Sequence, residues 1–427
     1  MTLFLLMIFF ILVFIGAPVF IALSFSAFSA LLFFTDLPLM VVTQRMLGGI
    51  DKFSLMSVPF FILGANVMKK GGIADRILKW SQVMVGSTRG GLAFTTIIAC
   101  MFFGAVSGSS PATVIAIGGL MYPALKKNQY DGGFSVGLIA SSGSIALLIP
   151  PSISAIIYGA VTGVSVGALF MAGAGAGIIY SIAYLIYSYW FAVRKNIEPG
   201  PKSTYMEKLK ATLSASWALG IPMIIMGGIY LGVFTPTEAS GVSAIYAIII
   251  SMFIYKEMSL KELIKTCVDS AQSTAQLMLL LASASIFGWV LTVAQVPQDL
   301  ANLIIGGNFG PYSFLMLVNV MLLIAGMFID GSSAIIITAP LLYPIAMRLG
   351  INPIHLGVIM VTNAAIGMFT PPFGLNLFVA QPATGEKMIN IIKGVIPFVI
   401  ISIIALIFIT YFPQISLFLP RLIYGTV

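Results

Sequence analysis

The chain has 427 residues, of which 59% are hydrophobic and only 8% charged, against roughly 25% charged in an ordinary globular domain. Its net charge is +8, yet the cations cluster in short loops, which marks membrane topology rather than a nucleic-acid or substrate surface. A soluble enzyme is excluded: no Walker or Rossmann glycine pattern is present, and His355, the single histidine, leaves too few parts for a histidine metal site or a Ser-His-Asp triad.

The first apolar run, 3–34, is long enough to cross a hydrocarbon core of ~30 Å. No Lys or Arg precedes Arg45, so it lacks the basic start of a signal peptide and is expected to be retained. It forms one tilted helix or breaks near Gly16-Ala17-Pro18. Residues 69–89 follow, with Lys69, Lys70, Arg76, Lys79 and Arg89. They are expected in the cytoplasm by the positive-inside rule, either as an amphipathic arm along the membrane surface or as a solvated loop. Lys126 and Lys127 are expected on the same side. Between them lie limbs at 92–107 and 112–125, flanking Ser107-Gly108-Ser109-Ser110-Pro111. At about 1.5 Å per residue these limbs reach only ~21–24 Å, so the segment is predicted to be a re-entrant hairpin with Gly-Ser-Ser at its tip. The alternative is a pair of short helices packed through small residues.

Crossings are predicted near 133–160, 165–193, 212–234, 239–255 and 270–295. Basic residues between 194 and 210 separate the second and third, while Thr235-Pro236-Thr237-Glu238 carries no cation, as expected outside. Residues 256–269 offer a second amphipathic arm or loop. Five crossings place 296–310 outside, where Asp299 stands without any Lys or Arg. The second hairpin, 312–347 with its tip at Asp330-Gly331-Ser332-Ser333, then opens outward, inverted relative to the first. A last apolar run covers 395–411. Arg348 and Lys393 anchor at interfaces, and His355, at the start of an apolar run, is expected to be interfacial as well. Cys100 and Cys267 lie far apart with no metal-ligand spacing.

The pattern Gly-Ser-Ser, Tyr-Pro, Pro-Pro therefore occurs twice: Gly108-Ser109-Ser110, Tyr122-Pro123, Pro150-Pro151, and Gly331-Ser332-Ser333, Tyr343-Pro344, Pro371-Pro372. Weaker matches, Gly64 with Gly288 and Asp75 with Asp299, extend the repeat. Helix-breaking sequence inside lipid-like stretches frees backbone groups that hydrocarbon cannot satisfy, and its recurrence in two halves points to a transporter's binding site. Each Pro-Pro pair removes two backbone donors, so Ser142-Gly143-Ser144 to Ser152 and Asn363 to Thr370 are expected in discontinuous helices, the alternative being a proline kink with its hydroxyls bonded back into the helix. Carbonyls with Ser, Thr and Asn oxygens suit a hard cation. Half-helix amides at Pro150-Pro151-Ser152 and Pro371-Pro372 suit a carboxylate. Asp330 has two roles open to it, ion partner or cap of the helix after Gly331.

These paired motifs, the chain length and the Thr235-Pro236-Thr237-Glu238-Ala239 turn resemble the large membrane subunit of TRAP (tripartite ATP-independent periplasmic) transporters, over essentially the whole chain. The resemblance implies an all-α polytopic fold with inverted-topology repeats and an elevator-type mechanism in a bacterial inner membrane. On this reading, 1–90 and 161–310 hold scaffold helices and arms, 91–160 and 311–385 are the transport repeats, and 386–427 is a C-terminal helix and tail. It implies sodium-coupled import of a small organic acid anion such as sialic acid, a C4-dicarboxylate or a 2-oxo acid, without ATP. The family's sodium positions map onto Ser107, Gly108, Ser109, Ser110, Ser142, Gly143, Ser144, Asp330, Gly331, Ser332, Ser333, Asn363 and Thr370. The implied partners are a small four-helix membrane subunit, as this chain resembles the unfused form, and a soluble periplasmic binding protein. A stand-alone sodium:anion transporter of the same wider class and an ion channel are the competing readings. An intramembrane enzyme lacks paired catalytic groups.

Overall fold

A computed structural model describes residues 1–307 and 310–425; positions 308–309, within the 296–310 stretch, and 426–427, at the end of the C-terminal tail, lie outside them. The described residues are helical, with no strand. Among the described residues, five helices are long and apolar enough to cross a membrane: Val166–Arg194, Tyr205–Tyr230, Pro236–Ile254, Leu260–Val293 and Met388–Tyr411. Met40–Ile50 and Phe53–Lys70 are apolar enough only when taken together, and they are bent by 62° at the break between them.

The N-terminal run is broken. Thr2–Phe14 and Val19–Phe34 are separated by Gly16 at φ +87° and by Pro18. A left-handed φ suits glycine, and proline cannot continue a helix from the preceding turn. The two helices fold back on each other, bringing the Phe4 ring within 5.9 Å of Phe33 and 5.1 Å of Phe34.

The two amphipathic stretches differ. Ile73–Val85 is a separate helix that buries Ile73, Ala74, Ile77 and Leu78 along one face. Trp80 ties it to two neighbours, donating from Nε1 to Thr212 Oγ1 at 3.2 Å and meeting the Phe102 ring edge-on. Residues 256–269 are neither a flat arm nor a loop beyond Ser259. They are the first turns of the 34-residue helix Leu260–Val293, started by a capping box between Ser259 and Glu262. Such a box satisfies two otherwise orphaned donors at the helix start, so the chain enters the long helix directly. Lys70–Asp269 at 3.0 Å and Arg76–Glu257 at 2.8 Å pin the two stretches together.

The helices assort into two groups. Val19–Phe34, Met40–Ile50, Ser57–Lys70, Pro236–Ile249 and Leu260–Val293 pack mainly with one another. The other group holds both hairpins and both broken helices. Val166–Arg194 packs against the second of these broken helices, against both halves of the first and against Met388–Tyr411. His355 is buried there, not interfacial: its ring nitrogens lie 2.7 Å from Ser416 Oγ and 3.1 Å from the Thr410 carbonyl. Both partners come from the C-terminal helices, so a polar ring in an apolar interior has both nitrogens satisfied.

Candidate functional site

Each hairpin is two helices joined by a short tip. The first runs Gly91–Ser107 and Ser110–Lys127, and the second Pro311–Gly326 and Gly331–Arg348. Local chemistry starts each second limb. Gly108 takes the left-handed φ of +56° that ends the first limb, and Pro111 sits in the opening turn of the next helix, where a missing N–H is harmless. In the second hairpin Asp330 is the cap: its Oδ1 accepts from the Ser332 and Ser333 amides at 3.0 and 3.1 Å, and Ser333 Oγ donates to Oδ2. Ser107, which also immediately precedes Gly-Ser-Ser, accepts from the Ser109 amide at 3.3 Å. Of the two roles open to Asp330, capping is the one its hydrogen bonds display.

The discontinuous helices interrupt where the proline pairs stand. Gly132–Ser142 tightens into a 3-10 segment, Gly143–Leu147, and resumes at Ile153–Thr162. Pro353–Gly367 ends before Pro371-Pro372 and resumes at Leu375–Thr384. Both Pro-Pro bonds are cis. Ser152 bridges the first break, donating to the Leu147 carbonyl at 2.5 Å and accepting from the Ala155 amide at 3.2 Å. Thr370 donates to the Ile366 carbonyl at 2.6 Å. Its own carbonyl accepts from Gly374, and the Met368 carbonyl accepts from the Asn376 amide.

Each hairpin packs on its own break and on the resumed half-helix of the other repeat. Ser110–Lys127 lies along Leu375–Thr384, and Gly331–Arg348 along Ile153–Thr162. Two close approaches allow this. A Cβ on Gly104 would stand 2.7 Å from the Ala146 Cα, and one on Gly326 would stand 2.9 Å from the Gly367 Cα. Any side chain there would push the hairpin off its break.

The tips converge on a small chamber of about 230 Å³, lined by Gly108, Ser109, Ser110, Asp330, Gly331 and Ser332 from the hairpins. Its wall also includes Ser154 and Leu375 from the resumed half-helices, Ser273 and Leu277 from Leu260–Val293, and the apolar Ile62 and Met368. Ser107, Ser142, Gly143, Ser144, Ser333, Asn363 and Thr370 do not line it, and neither do Pro150, Pro151, Ser152, Pro371 or Pro372. Ser142, Ser144 and Asn363 are fully buried. Gly143 packs on the first tip's second limb, where a Cβ would lie 3.3 Å from the Ser110 carbonyl oxygen. Ser144 is bonded back to the Ser141 carbonyl at 2.7 Å.

Among the described residues of the two broken helices, three buried side-chain oxygens have no hydrogen-bond partner: Ser142 Oγ, Ser154 Oγ and Asn363 Oδ1. A buried polar atom left unpaired loses about 1–3 kcal/mol relative to a paired one. Their chemistry, neutral oxygen with no carboxylate, fits a weakly held hard monovalent cation. Among the described residues no cluster of three His, Cys, Asp or Glu side chains exists that would favour a divalent or transition metal.

Sequence reasoning missed two asparagines. Asn376 is fully buried and joins the repeats: its Nδ2 donates to Ser110 Oγ at 2.7 Å and to the Ala140 carbonyl at 2.8 Å, while Ser110 Oγ lies 3.1 Å from Oδ1. Asn319 accepts from Asn363 Nδ2 at 2.7 Å and donates to Thr410 Oγ1 at 2.9 Å. An amide side chain in an apolar run was the available signal in both cases, since such groups are costly in a membrane unless paired.

Paired hairpin tips over two interrupted helices, within a set of apolar spans, define a polytopic helical membrane transporter rather than an enzyme. The family model described as "Tripartite ATP-independent periplasmic transporter, DctM component" matches residues 6–415. The C4-dicarboxylate TRAP transporter large permease protein of Vibrio cholerae is 41% identical over 96% of this chain and 95% of its own length. The sialic acid TRAP transporter large permease protein of the same organism is 36% identical over 97% of each. The solved YdaH transporter of Alcanivorax borkumensis shares the fold with a TM-score of 0.64 at 15% identity, covering 87% of this chain and 89% of its own. The chain belongs to the family of TRAP transporter large membrane subunits.

Proposed function

We propose that this chain forms the translocation pathway of a sodium-coupled importer of a small organic acid anion in a bacterial inner membrane. The observation that carries this reading is the pair of unpartnered buried oxygens, Ser142 Oγ and Asn363 Oδ1, at matching places in two interrupted helices. A cation entering each break would satisfy them, with backbone carbonyls freed by the proline pairs as further ligands. Sodium is cargo here, not a resident cofactor. The solute would sit in the tip chamber, where Ser109, Ser154, Ser273 and Ser332 line the wall with hydroxyl side chains. Relatives named for C4-dicarboxylate and for sialic acid support an organic anion as the class.

The hairpins and broken helices would move together against Met40–Lys70, Pro236–Ile254 and Leu260–Val293. Ile73–Val85, tied through Trp80 to Phe102 of the first hairpin and to Thr212 of Tyr205–Tyr230, would act as the connecting arm. A small membrane subunit would widen the static group, and a soluble periplasmic protein would deliver the solute. ATP has no place in the scheme.

Reconstitution tests it. In proteoliposomes with the small membrane subunit and a liganded binding protein, uptake should require an inward sodium gradient and collapse when potassium replaces sodium. Saturable uptake by this chain alone would move it to the stand-alone class, and uptake indifferent to sodium would refute the coupling.

A further inference from the structure

A second, larger chamber of about 630 Å³ lies in the seam between the two helix groups, away from the hairpin tips. One wall comes from Met40–Ile50 and Leu260–Val293, through Gln44, Arg45, Ser285, Trp289 and Thr292. The other comes from Ile153–Thr162 and Gly331–Arg348, and Lys52, in the break at the 62° bend, also lines the chamber. Its size is within the range of small-molecule sites.

Its charge is one-sided. Arg45 and Lys52 both line the chamber and no Asp or Glu does; Asp51, next to Lys52 in sequence, is not part of the wall. The two salt bridges among the described residues lie elsewhere, at Lys70–Asp269 and Arg76–Glu257. The Arg45 guanidinium is held 4.8 Å from the Trp289 ring centroid, and its helix is pinned by a 3.0 Å bond from Ser285 Oγ to the Arg45 carbonyl. Lys52 Nζ donates to the Ala160 carbonyl at 2.5 Å, which uses one of its three donors. A cation set among membrane helices is costly and faces a cavity or a counter-ion. Arg45 and Lys52, both exposed side chains, face this one cavity, and among the described residues no carboxylate lines it.

We propose that this chamber is a second anion site, distinct from the tips, that takes a small organic carboxylate. Arg45 presents a planar fork matched to a carboxylate, Lys52 adds a point charge, and Trp289 gives the carbon skeleton an apolar face. Gln44 and Thr292 supply neutral hydrogen bonds to substituents. Arg45 and Lys52 come from one helix group, and Lys52 already reaches the Ala160 carbonyl of the other, so a bound anion would sit on the cations of one wall against Ile153–Thr162 of the facing wall. The choice of a carboxylate rests on the importer reading above; the chamber and its charge do not.

Trp289 reports on the site directly. The full chain in lipid nanodiscs is titrated with sodium succinate, sodium pyruvate or sodium N-acetylneuraminate, against sodium chloride at matched sodium and ionic strength. Tryptophan emission should change saturably with at least one organic anion, not with chloride, and the change should be absent from Trp289→Phe. Arg45→Gln and Lys52→Gln should each weaken the apparent affinity about tenfold, the scale of one lost charge-assisted hydrogen bond. The response should persist in Ser110→Ala, altered at the tip. The proposal is overturned by no saturable response to any of the three anions, by an equal response to chloride, by unchanged affinity in both cation variants, or by loss of the response in Ser110→Ala. Failure of sodium-driven uptake alongside intact Trp289 binding would refute the importer reading and leave the chamber standing.

Discussion

Ser142 and Asn363 occupy the same position in the two repeats, each eight residues before the first proline of its pair (142 to 150, 363 to 371), and each keeps one buried oxygen unpartnered. Their neighbours do not share this property. Ser141 and Ser144 return their hydroxyls to carbonyls one turn back, and Thr362 does the same. Ser154 Oγ, past the first break, is unpartnered as well, so what distinguishes Ser142 and Asn363 is their matched position in the two repeats.

Ser142→Ala tests whether that oxygen holds an ion. Because Ser142 Oγ makes no bond in the protein, its removal should leave thermal stability unchanged or slightly raised. If the oxygen is a sodium ligand, half-saturating sodium for uptake should rise by the equivalent of roughly 1.5–3 kcal/mol, the scale of a bond to a charged group. High sodium should then recover transport by mass action. An unaltered sodium dependence in a well-folded Ser142→Ala variant would remove this residue from the site.

Asn376→Ala should be destabilising for a different reason. It leaves Ser110 Oγ and the Ala140 carbonyl without the amide that now joins them, at about 1–3 kcal/mol for the buried groups. A double-mutant cycle with Ser110→Ala, read by thermal unfolding in nanodiscs, should give a coupling of at least ~0.5 kcal/mol, as residues in one network do. Strict additivity would mean that the contact contributes nothing.

Asp330 can be dissected by charge. Asn caps about as well as Asp, so Asp330→Asn should assemble normally and continue to transport, while Asp330→Ala should lose about 0.5–2 kcal/mol of stability. A normally assembled Asp330→Asn variant that no longer responds to sodium would show that the carboxylate charge is needed beyond the cap.

Glu386 makes the base of the first hairpin pH-sensitive. Its carboxyl is held below the usual range by hydrogen bonds from Asn390 and then from Tyr122, with Lys126 nearby. A depressed folded-state value means that this contribution is present above the ordinary carboxylate pKa, about 4.3, and is lost as pH falls through the folded value. Melting temperatures of wild type and Glu386→Gln should differ at pH 7 and converge in strong acid. A gap that is constant with pH would exclude an ionised Glu386 as the source.

The double motif, the short hairpin limbs and the proline breaks were legible in the chain itself. Each is a local backbone event: a glycine needing a left-handed φ, a proline without an N–H, or a helix too short for the hydrocarbon core. Local chemistry of this kind survives in any surroundings. What only the tertiary structure decided were partnerships. The sequence could not show that Asn376 reaches across to Ser110, that His355 is enclosed by Ser416 and Thr410, or that 256–269 runs straight into a 34-residue helix. It also could not separate Val166–Arg194 from the helices on the other side of the seam. In water, polarity distinguishes the buried face of a helix from the exposed one. In a membrane both faces are apolar, so the pattern that would assign neighbours is absent, and packing of small residues and buried amides makes the choice.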